Sequence, residues 1–159
     1  MESSAARLIP QKQTEVEKWN MSIDGVRFGH VAFKVSDVEK SIRWYGDAFG
    51  AKVIYRVAPS GDRPELMFLE FSKGQCVELF PGGKNMLASP PDPIGYIHFC
   101  LVVDNLEQAL DHLAKLNVKP ERKFIGRAKQ KIAFISDPDG NSIEVMEIPP
   151  ESEIYRTYP

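Results

Sequence analysis

Two stretches decide the fold: Phe28-Gly29-His30-Val31-Ala32-Phe33-Lys34-Val35-Ser36-Asp37-Val38-Glu39 and Tyr96-Ile97-His98-Phe99-Cys100-Leu101-Val102-Val103-Asp104-Asn105-Leu106-Glu107. The second repeats the first at an offset of 68 (98 − 30), with His98 on His30, Val103 on Val35, Leu106 on Val38 and Glu107 on Glu39. Phe28 likewise falls on Tyr96, Gly29 on Ile97 and Ile42 on Leu110. Self-similarity at a long period means duplicated supersecondary units. In each copy an apolar run rich in β-branched and aromatic residues, Val26 to Val35 and Tyr96 to Val103, reads as a strand. A helix start follows: Ser36 with Glu39, and Asp104 with Glu107, put a capping oxygen three residues before a glutamate. Val38, Ile42, Tyr45 and Phe49, then Leu106, Leu110 and Leu113, recur at helical spacing, and Gly50 and Asn117 close the helices.

Three shorter β-like runs come after each helix. They are Lys52–Val57, Leu66–Phe71 and Cys76–Phe80, then Arg122–Ile125, Lys131–Ser136 and Ser142–Ile148. The turns before the last runs, Lys73-Gly74-Gln75 and Asp137-Pro138-Asp139-Gly140-Asn141, carry hairpin chemistry. The fold class is therefore α+β, two βαβββ modules, with module one at 26–81, a Pro- and Gly-rich linker at 82–94 and module two at 95–148. Residues 1–25 form an N-terminal extension and 149–159 a C-terminal tail.

The last strand of each copy adds a second polar position. Glu78 and Glu144 lie 66 apart (144 − 78), so each half holds a histidine and then a glutamate. A strand presents alternate residues to one face. His30 thus shares a face with Ala32 and Lys34, His98 with Cys100 and Val102, Glu78 with Cys76 and Phe80, and Glu144 with Ser142 and Met146. Two carboxylates turned into one apolar lining repel each other and lose solvation, and a divalent cation removes both penalties. Two imidazoles and two carboxylates suit one divalent ion, whether nickel, zinc, cobalt, manganese or iron. The metal ligands are expected to be His30, Glu78, His98 and Glu144.

Composition bounds the rest. At 159 residues, 43% hydrophobic, 26% charged and a net charge of −2, the chain is an ordinary globular protein with no charge excess for nucleic acid or a membrane surface. No span of membrane length occurs, and the first twenty residues, which carry Glu2, Glu15 and Glu17, lack the apolar core of a secretory signal. Cys76 and Cys100 sit in apolar runs without a close partner, which suits buried thiols in the cytoplasm.

The marks Gly29-His30-Val31, and Asp137-Pro138-Asp139-Gly140-Asn141 running into Ser142-Ile143-Glu144, resemble the vicinal oxygen chelate superfamily. That superfamily includes glyoxalase I, methylmalonyl-CoA epimerase, extradiol dioxygenases, and fosfomycin-resistance and bleomycin-binding proteins. The resemblance runs from about Val26 to Ile148. It implies paired modules curled into a cupped eight-stranded mixed sheet with helices outside, a metal on one residue from each of four strands, and a homodimer. It also implies chelation of a small substrate through two adjacent oxygens.

The complete ligand set looks like the bacterial type of glyoxalase I, a lyase or isomerase in which a metal-bound glutamate moves a proton. On that resemblance Glu144 or Glu78 is the catalytic acid/base. Lys34 and Pro81-Gly82-Gly83 stand where glyoxalase I offers an Arg and an Asn to glutathione, which departs from the pattern. The alternatives are an extradiol-type ring-cleaving dioxygenase using His30, His98 and Glu144, and a non-enzymatic small-molecule binding protein.

Weaker signals surround the site. Lys34 shares the parity of His30 and would meet an anionic substrate group or extend to solvent. Arg127, with Lys129 and Lys131, forms a basic cluster that would recognise carboxylate or phosphate or be a solvated loop. Phe80, with Phe68 and Phe71, would floor the substrate cavity or pack the core, and Cys100 would wall it. His112 reads as a surface residue, and Trp44 and Tyr45 as core or dimer contacts.

Overall fold

The computed structural model describes residues 27–85, 95–152 and 154–155. The N-terminal extension, most of the linker and the end of the tail lie outside the described residues. The elements run β1 (His30–Lys34), α1 (Val38–Phe49), β2 (Lys52–Val57), β3 (Leu66–Ser72), β4 (Gln75–Phe80), β5 (Phe99–Val102), α2 (Leu106–Lys115), β6 (Arg122–Ile125), β7 (Lys131–Ser136) and β8 (Ser142–Glu147). This is the expected α+β pair of βαβββ modules.

Each module makes its own four-stranded mixed sheet, ordered β1-β4-β3-β2 and β5-β8-β7-β6. β1 pairs with β4 and β5 with β8 in parallel, and the remaining pairs are antiparallel. The eight strands are arranged as two four-stranded sheets, one from each module. The physical reason lies in the core. Phe33, Val35, Met67, Leu69, Val77 and Leu79 of the first sheet join Ala133, Ile135, Ile143 and Val145 of the second in one cluster, with Val38, Tyr45, Leu106 and Leu113 of the helices. Alternation then turns the other face of each sheet away from that shared core.

The helices begin one residue later than the capping pattern suggests. Asp37 accepts from the Lys40 amide at 3.0 Å and Asn105 from the Gln108 amide at 2.9 Å, so these residues, and not Ser36 and Asp104, are the N-caps. The shift places Val38 and Leu106 inside the core. Gly50 (φ 70°) and Asn117 (φ 61°) adopt the expected left-handed conformation behind the helices.

One turn joins the modules. Asp137 of the β7–β8 turn accepts from the buried Tyr45 hydroxyl of α1 at 2.8 Å, from the Asp139 and Asn141 amides at 2.9 and 2.8 Å, and from the Asn141 side chain at 2.8 Å. Burial first, and then the Asp137 carboxylate, raise the Tyr45 pKa far above its ordinary value, which keeps it a donor. The Asp139 carboxylate accepts from the Ser36 amide at 3.2 Å. His112, exposed on α2, meets the Asp47 carbonyl of α1 at 2.7 Å. Trp44 is partly buried against the core.

Candidate metal centre

Strand parity sends the predicted donors where it should. In β1, Val31, Phe33 and Val35 face the core while His30, Ala32 and Lys34 face out, and in β4 Val77 and Leu79 face in while Cys76, Glu78 and Phe80 face out. Across the parallel pair, His30 Nε2 reaches Glu78 Oε2 at 3.1 Å. Just before β5, His98 Nε2 reaches Glu144 Oε2 at 2.8 Å. Each carboxylate is half-buried, and each imidazole meets the edge of a phenyl ring from the antiparallel neighbour strand. His30 lies 5.0 Å from Phe68 at 88°, and His98 lies 5.1 Å from Phe134 at 89°.

The four donors do not all meet. Among the described residues no three His, Cys, Asp or Glu side chains converge closely enough to hold a metal ion. The pairs lie on the outward faces of two sheets whose inward faces share the core. Within each half the donors fit. Two ligands about 2.1 Å from one ion and at right angles to it stand roughly 3.0 Å apart, close to both contacts.

Lys34 and Phe80 lie together with Ala32, Phe33, Pro64 and Pro81 around a half-open cavity of about 320 Å³ at the end of the first face. The Pro81-Gly82-Gly83 segment closes against β1. Gly83 donates to the Val35 carbonyl at 2.9 Å, and a Cβ there would stand 3.1 Å from main-chain atoms of Lys34 and Val35, so only glycine fits without a shift.

Cys100 lies on the second face opposite Glu144. Loss of solvation among its neighbours, and then the Glu144 carboxylate, push its thiol up to about 12, so it stays protonated at neutral pH. Arg127 is exposed on the β6–β7 turn, where Gly126 donates to the Gln130 carbonyl at 2.8 Å. Phe71 packs with Tyr45, Phe49 and Phe99 in the core, whereas Phe68 and Phe80 have the parity of the outward face. Strand alternation accounts for the inward turn of Phe71, since it has the parity of Met67 and Leu69. Glu70 accepts from the Gly74 amide at 2.9 Å in the hairpin.

Sequence reasoning missed the lateral neighbours of the donors. The antiparallel register sets Tyr55 opposite Phe68, and Arg122 opposite Phe134, on the outward faces. Strand alternation could have found them only with the register of β2 and β6 in hand.

Residues 27–145 match the Glyoxalase/Bleomycin resistance protein/Dioxygenase superfamily, and the chain belongs to it. Among particular relatives, the lactoylglutathione lyase of Schizosaccharomyces pombe is 31% identical over 157 residues, covering 88% of this chain and 50% of that protein. The chain thus spans half the length of that relative. The lactoylglutathione lyase of Pseudomonas aeruginosa is 25% identical over 153 residues, covering 81% of this chain and 86% of that protein. A solved trypanothione-dependent glyoxalase I of Leishmania major has the same fold, with a TM-score of 0.62 at 24% identity, covering 77% of this chain and 86% of that one. A glyoxalase family protein from Enterococcus faecalis superposes with a TM-score of 0.68 at 21% identity, covering 79% and 100%. No described helix is long and apolar enough to cross a membrane.

Proposed function

We propose that the chain is a divalent-metal-dependent lyase or isomerase of the glyoxalase type, active as a homodimer. The reading is carried by one observation: the two His–Glu pairs have matching geometry on outward faces, 3.1 and 2.8 Å, each beside a phenyl edge. His30 and Glu78 of one copy and His98 and Glu144 of a second would complete a four-ligand site that one chain leaves in halves. Large apolar side chains on or beside these faces, Phe28, Tyr55, Tyr96 and Val102 among them, are exposed and support a second copy as the cover.

When bound, the ion, one of nickel, zinc, cobalt, manganese or iron, supplies Lewis acidity to a substrate with two adjacent oxygens. The protein's own residues do the remainder. His30 and His98, held edge-on by Phe68 and Phe134, fix the site's position. Glu78 or Glu144 takes a proton from the substrate carbon bearing one oxygen and returns it to the adjacent carbon, so the substrate is isomerised without net proton change. Phe80 and Lys34 flank the first face as an apolar surface with one cation, Arg127 stands on the β6–β7 turn, and Cys100 is a neutral wall. The equivalence of Glu78 and Glu144 favours four ligands over the three-ligand iron site of a ring-cleaving dioxygenase. The unpaired thiols Cys76 and Cys100 suit a cytoplasmic location.

Metal analysis of purified protein, together with turnover of the methylglyoxal–glutathione hemithioacetal before and after chelation, tests the reading. Metal near one ion per chain and chelator-sensitive conversion are expected. A metal-free protein, or conversion indifferent to chelator, would refute it.

A further inference from the structure

Each imidazole of the two pairs has one nitrogen accounted for and one that is not. Nε2 meets the paired glutamate at 3.1 Å in the first module and 2.8 Å in the second, and among the described residues no hydrogen bond reaches the other ring nitrogen of His30 or His98. A metal-holding histidine as a rule donates that second N–H to a carboxylate or a carbonyl, which fixes the plane of the ring and raises its basicity. Here each imidazole has a phenyl ring for a neighbour instead. Phe68 lies directly across the β3–β4 ladder from Glu78, and Phe134 directly across the β7–β8 ladder from Glu144, so the register delivers one ring to each histidine. The ring planes are perpendicular, at 88° and 89°, with centroids 5.0 and 5.1 Å apart. Perpendicular rings at that separation attract.

The two phenyl rings are themselves held unequally. Phe134 is 5% exposed, with the Arg122 guanidinium 3.8 Å over its centroid and Phe124 stacked beside it at 6.2 Å and 15°. Phe68 is only half-buried, and Tyr55 stands 6.1 Å from it. The histidines follow their supports: the His98 side chain is 25% exposed and that of His30 41%.

We propose that Phe134 and Phe68 are positioning residues, each fixing the plane of its imidazole where a hydrogen-bond acceptor is missing, with His98 the more firmly held. What this does for a metal ion rests on the reading of the two pairs as its donors. A ring contact restrains the side-chain torsions of the histidine without drawing on its remote N–H. The imidazoles are therefore weaker donors than hydrogen-bonded ones, which leaves more Lewis acidity at the site.

Proton NMR of the histidine rings in the intact, chelator-treated protein tests this, alongside zinc affinity measured by competition with a chelating dye. The chain has three histidines. In wild type the ring protons of His30 and His98 should be displaced by the phenyl ring currents from those of His112, which has no aromatic neighbour among the described residues. Phe134→Leu should move the His98 signals alone, and Phe68→Leu those of His30 alone. Zinc affinity should fall about tenfold in Phe134→Leu and by less in Phe68→Leu, while Phe134→Tyr, which keeps the ring, should bind like wild type. A packing role alone would lower the unfolding midpoint of Phe134→Leu and leave zinc affinity at the wild-type value. That result, or histidine signals unmoved by both leucine variants, would overturn the proposal, and equal losses of affinity would contradict the ranking. A wild type whose histidine signals respond to the variants and which binds no zinc keeps the positioning and removes the metalloenzyme.

Discussion

In the first module His30 meets Glu78 at 3.1 Å beside the edge of Phe68, and in the second His98 meets Glu144 at 2.8 Å beside the edge of Phe134. Around these equal pairs the modules differ. The first has a neutral outer residue, Tyr55, and a hairpin turn, Lys73-Gly74-Gln75, that serves only its own sheet through Glu70. The second has Arg122 and a turn whose Asp137 and Asp139 reach across to α1 and to Ser36. The halves share a matched His–Glu pair and differ in what holds the chain together and in what stands beside that pair. The second module is the structural anchor.

Substitutions at the His–Glu pairs should have the largest effect. Glu78→Gln and Glu144→Gln remove equivalent donors, so each should weaken metal binding alike. A four-ligand zinc site is worth about 10–16 kcal/mol, so one donor of four is worth roughly 3 kcal/mol, or about 100-fold in affinity by competition with a chelating dye. Unequal losses would end the equivalence of the halves.

The two turns should respond unequally. Asp137→Ala strands the buried Tyr45 hydroxyl and two amides and should cost about 3 kcal/mol in denaturant unfolding, while Lys73→Ala at the matching hairpin should stay within about 0.5 kcal/mol. Similar values would contradict the anchoring role of the second module.

A smaller contrast concerns the helix starts. Glu147, buried at the end of β8, accepts from the Leu106 amide at 2.8 Å and from Lys131 at 2.6 Å, whereas the first module has Pro81 at the equivalent place. The Leu106 amide, and then Lys131, lower the Glu147 pKa below its ordinary value. A depressed carboxylate stabilises the fold above its unfolded pKa, about 4.3, and that contribution disappears as pH falls through the lower folded value. Glu147→Gln should cost on the order of 1 kcal/mol at pH 7 and should flatten the loss of stability on acidification below about pH 4. An unchanged acid limb would remove this role.

The repeat made the βαβββ order and the outward parity of His30, Glu78, His98 and Glu144 legible, because both depend on local periodicity. The separation into two sheets was not legible, since it depends on which apolar faces find each other across the chain. The caps slipped by one residue because Asp37 and Asn105 compete with Ser36 and Asp104 as side-chain acceptors, and burial of Val38 and Leu106 decides between them. The equivalence of Tyr55 and Arg122 was hidden for a related reason. Their offset is 67 (122 − 55), between the 68 of the histidines and the 66 of the glutamates, and β2 carries a register shift between Val53 and Tyr55. Neither the offset of the histidines nor that of the glutamates superposes them.

Mixed dimers test most directly whether two copies build the site from opposite modules. A chain with His30→Ala and Glu78→Gln would be co-refolded with a chain carrying His98→Ala and Glu144→Gln, and the bound metal counted in the isolated heterodimer. The intact first module of one chain and the intact second module of the other should restore one metal ion per heterodimer, where neither homodimer holds any. A heterodimer as empty as its parents would contradict the shared site.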